Sequence, residues 1–125
     1  MNTKGFSDEQ KAALLDLLVL GMYQDGHLAA AEDERIKLLL SGYDLSSSYA
    51  RQQYTDASFA RVSKHQTSKE SIRSAAFACA AHFKFDAHRR QALDILAELL
   101  ASDNNVTREE NNFLVMVEQA LELKK

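Results

Sequence analysis

The sequence predicts an all-α protein: a compact bundle of about six to seven helices, arranged as two pseudo-symmetric helix–turn–helix halves. Three observations predict it. The chain has no Pro and only four Gly, so its helices meet few internal breakers. Ala and Leu are abundant while apolar β-branched residues are scarce, which favours helix over strand. Capping signals recur ahead of apolar residues at helical spacing.

Taken in order, Ser7-Asp8-Glu9-Gln10 is a helix start, with Ser at the cap and Gln three residues on. Leu14, Leu15, Leu17, Leu18 and Met22 follow at helical spacing, and the helix should stop near Asp25-Gly26. A second helix is expected from about Ala30 to Ser41, with Leu38, Leu39 and Leu40 inward or nearly so and Gly42 as its C-terminal cap. In 46–65, Ser46, Ser47 and Ser48 offer caps, and Thr55-Asp56 is expected to break the stretch into two short helices. Thr67-Ser68-Lys69-Glu70 opens a helix through Ala75, Ala76, Phe77, Ala80 and Phe83. Its Ala residues allow close approach by neighbouring helices. Asp86 can cap a helix running to about Ala101. Thr107-Arg108-Glu109-Glu110 caps the last, with Phe113, Leu114, Val117 and Leu121 on its apolar side. Short turns between such helices give a compact bundle.

Length and composition set the outer limits. At 125 residues and 46% hydrophobic content, the chain suits one domain over 1–125 with one core. No apolar run approaches the roughly 20 residues that span a bilayer, and no cleavable leader is visible, so a soluble cytoplasmic protein is expected. The lone Cys79 sits in the small-residue run 75–81 and reads as a packed core residue, in keeping with a reducing compartment. The net charge of −3 is unevenly spread. Residues 1–45 and 91–125 each balance at −4, and residues 46–90 at +5. Helix faces whose opposite signs attract within the domain explain this pattern, and a binding surface is the other reading.

Shifting the sequence by 78 residues aligns its two ends as an internal repeat, approximately 14–40 on 92–118. Leu15-Asp16-Leu17-Leu18 falls on Leu93-Asp94-Ile95-Leu96, Asp25-Gly26-His27-Leu28 on Asp103-Asn104-Asn105-Val106, and Glu32 on Glu110. Gly26 and Asn104 both tolerate positive φ, which suits a tight interhelical turn.

The Asp-to-Glu spacing invites comparison with a calcium-binding EF-hand loop. With Asp25 at loop position five, Gly26, Leu28 and Glu32 fall at six, eight and twelve with suitable types. Positions one and three are Gly21 and Tyr23, and in the second copy Leu99 and Ala101, so the first-half ligands are missing and a conventional EF-hand is not expected. Another geometry stays open. Asp25, Glu32 and Glu34 could converge with Asp103, Glu110 and Glu109 around a hard divalent cation (Ca²⁺, Mg²⁺ or Mn²⁺), with His27 adjacent. The competing reading is structural: Glu110 completes the capping box headed by Thr107, and first-turn acids meet the helix dipole favourably.

The two segments QDGHLAAAEDERI and LDILAELLASDNNVTREENNFL, with a helical stretch between them, resemble the TerB-like family of tellurite-resistance and stress proteins. The resemblance runs from about Ser7 to Leu121. It implies about seven helices with pseudo-two-fold halves and a surface acidic cluster proposed to bind metal. Matched by position, that cluster is Asp25 and Glu32 with Asp103 and Glu110. Asn104-Asn105 departs from the family's usual Gly and acidic residue, which weakens the second half-site. The resemblance further implies a role in metal and chemical stress, often through membrane-associated partners, without established catalysis.

Other chemistries find little support. No Gly-rich phosphate loop, nucleophile elbow or Cys/His metal spacing occurs, and no enzyme is expected. His82 and Asp86 read as a surface pair rather than a catalytic dyad, and His65 and His88, beside basic residues, as facing solvent. The basic middle, including Arg51, Arg61, Lys64, Arg73, Arg89 and Arg90, lacks a nucleic-acid recognition motif. An acidic protein partner, or the acidic end of a second copy in a homodimer, fits it better. The expected function is thus a non-enzymatic stress protein that binds divalent metal through its acidic turns. The alternative is a protein–protein adaptor whose acidic turns are only caps.

Overall fold

The capping box at the start of the chain forms as its residue types require. Ser7 N–H donates to Gln10 Oε1 at 2.9 Å, and Gln10 N–H donates to Ser7 Oγ at 3.2 Å. This opens α1 (Asp8–Met22), with Asp8 and Glu9 in its first turn. In this computed structural model the described residues are 5–22, 36–43, 45, 47–64, 69–100 and 108–121. The other elements are α2 (36–40), α3 (Ser48–Ser63), α4 (Lys69–Ala80), α5 (Asp86–Leu100) and α6 (Arg108–Ala120). All are helical, and the described residues contain no strand.

Helix α1 is the centre of the bundle. Its segment Leu14–Leu20 reads LLDLLVL, apolar all round except for Asp16, and Leu14, Leu15, Leu17 and Leu18 are fully buried. A helix that is hydrophobic on every side must be covered on every side, and α3, α4, α5 and α6 all pack against it. Each leucine so buried contributes about 1.5–3 kcal/mol relative to exposure. The outer helices are amphipathic. α5 buries Ala92, Ile95, Leu96, Leu99 and Leu100, and α6 buries Phe113 and Val117, with Leu121 beyond its end.

Turn chemistry locks these helices to α1. Gln10 Nε2 donates to the His82 carbonyl at 2.9 Å, so the residue that caps α1 also holds the turn after α4. In that turn Phe83 is 1% exposed and meets the Phe6 ring edge to face at 5.3 Å. Arg89 Nε donates to the Phe83 carbonyl at 2.8 Å and fixes the turn to α5. After α2, the Gly42 and Tyr43 N–H groups bond to the carbonyls of Leu39 and Leu40, tightening the chain. Tyr43 then inserts its ring, and its hydroxyl donates to the Lys11 carbonyl at 2.8 Å.

Several expectations need correction. Thr55-Asp56 breaks nothing. The Thr55 hydroxyl donates to the Arg51 carbonyl and the Asp56 carboxylate accepts from Gln52 Nε2, so both side chains are satisfied within one 16-residue helix. Ser47 is its cap, accepting from the Ala50 N–H at 3.1 Å. Leu38 points outward, 46% exposed, because three consecutive leucines cannot share one face of a helix. The fourth helix ends at Ala80, so Phe83 is buried from the following turn. Asp86 lies in the first turn of α5 and not at its cap, since Arg89 N–H bonds to the Phe85 carbonyl. His88 does not face solvent. It is half-buried between Phe6 and Phe85, edge to face at 5.5 and 5.9 Å.

Candidate functional site

Asp16 is the acid that α1 carries into the interior. Its side chain is 13% exposed. The Ser58 hydroxyl, fully buried on α3, donates to Oδ1 at 2.5 Å. Arg61, one turn further along α3, adds two parallel bonds, Nε to Oδ2 and Nη2 to Oδ1, both 2.9 Å. Ser58 and Arg61 reach the same carboxylate because residues three apart share a helix face. The Asp16 hydrogen bonds hold the Arg61 guanidinium above even its ordinary range, with burial opposing. Both oxygens of Asp16 are thus committed to α3. The carboxylate is a cross-link between helices.

Beside this cross-link a cavity of about 610 Å³ opens between α1, α3 and α4. It exists because the facing side chains are small: Ala12 and Ala13 on α1, Ala75 and Ala78 on α4. Cys79 and His82 line one wall, and Arg61 and Lys64 another. Burial pushes the Cys79 thiol up to about 12, with Asp16 adding to the effect and Arg61 opposing it. At neutral pH the group is a protonated thiol. His82 makes no dyad with Asp86. Asp86 is 95% exposed and stands 3.5 Å from Arg89.

Asp25, Glu32, Glu34 and Asp103 lie outside the described residues, as do His27 and Thr107. Glu110 is the third residue of α6, and its side chain is likewise outside the description. The helices leading into the two acidic segments are described. Helix α1 ends at Met22 and α5 at Leu100, and a Cβ on Gly21 would lie 3.3 Å from Leu100 Cδ1 and 3.1 Å from the Phe113 ring. The C-terminal ends of α1 and α5 therefore meet beside the early turns of α6. Neither carries a basic residue in its last turn. Among the described residues no three His, Cys, Asp or Glu side chains group to hold a metal, and no helix is long and apolar enough to cross a membrane.

Sequence reasoning passed over Asp16 as anything but a repeat position. The available signal was a single carboxylate inside an otherwise unbroken apolar segment, which must be paired if the helix is central. Its counterpart under the 78-residue shift, Asp94, is exposed.

Fold and site together define an all-helical bundle built round one buried central helix, with a half-buried ion pair tying α1 to α3. A family model described as tellurite resistance protein TerB matches residues 11–125. The chain belongs to that family. No curated protein and no solved structure gives a match.

Proposed function

We propose that this chain is a non-enzymatic, tellurite-resistance-related stress domain that binds a divalent cation through Asp25, Glu32 and Glu34 together with Asp103 and Glu110. The observation that carries the reading is the meeting of α1 and α5 at Gly21 and Leu100. Asp25 lies three residues beyond Met22 of α1, and Asp103 three beyond Leu100 of α5. Three residues of chain reach at most about 10–11 Å, which is compatible with one shared ion. A hard ion with several oxygen ligands, Ca²⁺, Mg²⁺ or Mn²⁺, suits such a donor set. When bound, it would tie the two halves of the bundle together.

Isothermal calorimetry with Ca²⁺, Mg²⁺, Mn²⁺ and Zn²⁺ tests this. Binding that disappears in the double variant Asp25→Ala, Asp103→Ala is expected. Silence at millimolar ion, or heats unchanged in the double variant, would overturn the proposal and leave the acidic turns as helix caps.

A protein–protein adaptor remains the second reading, and a second copy of the chain is one partner it would admit. Exposed Tyr49 (71%) and Phe85 (69%) favour it, because large aromatic side chains left at the surface suit interfaces. Arg90 is exposed and can test it by charge reversal, whereas Arg89 is bonded to the Phe83 carbonyl and would report on folding. A co-purified partner retained by the Arg90→Glu variant would count against this reading for that surface.

A further inference from the structure

The cavity beside the Asp16–Arg61 pair has a polar direction. Helix α3 runs along α1 in the same sense. Tyr54 meets the Tyr43 ring edge to face, Tyr43 reaches the Lys11 carbonyl, and Arg61, further along α3, reaches Asp16. Helix α4 runs the opposite way, since Gln10 at the start of α1 holds the His82 carbonyl just past the end of α4. Lys64 and Ser74 therefore line one end of the cavity, and Glu9 and His82 the other. Along α1 the lining runs from Glu9 to Leu20, about 16 Å at the helical rise. Between the ends, its accessible surface comes from half-buried Ala12 and Cys79 and exposed Ala78.

Charge is separated along the same axis. Both Asp16 oxygens are taken by Arg61 and Ser58. Arg61 spends Nε–H and an Nη2 proton on that carboxylate, and its Nη1 protons take no part in those bonds. Lys64, one turn past Arg61, is exposed and pairs with no carboxylate among the described residues. The chain that follows, 65–68, reads His-Gln-Thr-Ser and contains no acid. The Lys64 end thus carries one uncompensated positive charge, because Asp16 already balances Arg61. The remaining acid of the lining, Glu9, is at the far end.

From this we propose that the cavity binds a small monocarboxylate with an apolar body, of the size of a medium-chain fatty acid. The carboxylate meets Arg61 Nη1 and Lys64 Nζ, and the body lies along Ala12, Ala78 and Cys79. Ligand sites typically enclose about 300–1,000 Å³, mostly apolar with a few placed polar groups, and the cavity of about 610 Å³ fits that pattern. A single uncompensated charge selects a monoanion over a phosphate dianion. None of these residues belongs to the acidic turns, so the site is independent of the cation reading.

The test titrates the isotope-labelled full chain with decanoate and follows its amide resonances. Saturable shifts at Ala12, Ser74, Ala78 and Cys79 are expected, and decanol, the same body without the charge, should bind at least about fivefold more weakly. Lys64→Glu should weaken decanoate about tenfold and leave decanol unchanged. Ala78→Trp, at an exposed helix position, occupies the cavity and should weaken both. Metal calorimetry on Lys64→Glu should match the unmodified chain, so failure here and failure of the cation reading are separable. Equal affinity for decanoate and decanol would make the cavity an unselective apolar gap and overturn the proposal. Tighter binding of decylamine than of decanoate would move the charged contact to the Glu9 end and overturn it too. So would shifts lying only outside the cavity, no saturation at millimolar decanoate, or affinities unchanged in both variants.

Discussion

Asp16 on α1 and Arg61 on α3 form a two-point ion pair, both bonds 2.9 Å, that bridges 45 residues of sequence and shares its carboxylate with a fully buried Ser58 hydroxyl. The partners differ in exposure, Arg61 at 47% and Asp16 at 13%. That asymmetry predicts unequal costs. Asp16→Ala strands the Ser58 hydroxyl and should cost about 2–3 kcal/mol in urea unfolding. Arg61→Ala leaves Asp16 its Ser58 bond and some water, and should cost about 1 kcal/mol. Equal losses would show that the Ser58 contact contributes nothing beyond the pair.

Gly21 is placed for close approach. A Cβ there would lie 3.1 Å from Phe113 and 3.3 Å from Leu100, both members of the buried core. Gly21→Ala gains about 1 kcal/mol of helix propensity but forces α5 and α6 apart. Against an overpacking cost of about 1–3 kcal/mol, the net effect should be a loss of about 0–2 kcal/mol. Under the cation proposal the same variant should also weaken ion binding, because it displaces the helix ends that lead into both acidic segments. A variant more stable than the unmodified chain would show that this contact yields freely.

Gln10 serves two elements at once, through the cap of α1 and the His82 carbonyl. Gln10→Ala should therefore cost more than Ser7→Ala, about 2 against about 1 kcal/mol in thermal or urea unfolding. Similar costs would mean that the His82 bond is replaced by water without penalty.

Alkaline pH should unfold the protein ahead of any chemical damage. Burial raises the Cys79 thiol from its reference value of 9.0 to about 12, and Tyr54 from 10.0 to about 12. Tyr43 is raised further by burial, with Tyr54 and Asp16 adding to it. In each case the unfolded chain ionises first. The contribution is fully present below the unfolded values and is lost as pH rises from about 9 through 12. A urea midpoint that falls over that window, and falls less in Cys79→Ala, is expected; a flat profile would contradict it. The same shift predicts that an aromatic disulfide reagent at pH 8 modifies native Cys79 at least about a hundredfold more slowly than the urea-unfolded chain.

The helices and several of their ends were legible because their signals are local. The Ser7–Gln10 box, the Ser47 cap and the helical spacing of Leu14–Leu18 or Phe113–Leu121 need only neighbours three or four residues away. The same local logic fails at Thr55-Asp56. Those residue types do favour turns, but here each found a partner one helical turn back, on Arg51 and Gln52. The basic neighbours of His88 point to solvent, yet it is half-buried, with Phe6, 82 positions away, packing on it. Of the acidic-turn residues, Glu109 and Glu110 belong to a described helix.

By itself the sequence determined the helical class, several helix starts and the family, since periodicity and capping are properties of short stretches of chain. Tertiary structure alone decided what Asp16 does, which leucine of 38–40 faces water, and where grooves open. Those outcomes depend on which helix packs beside which, and that is settled by burial of the whole α1 surface at once. A carboxylate, a serine and an arginine far apart in the chain become one cross-link only after that packing is complete.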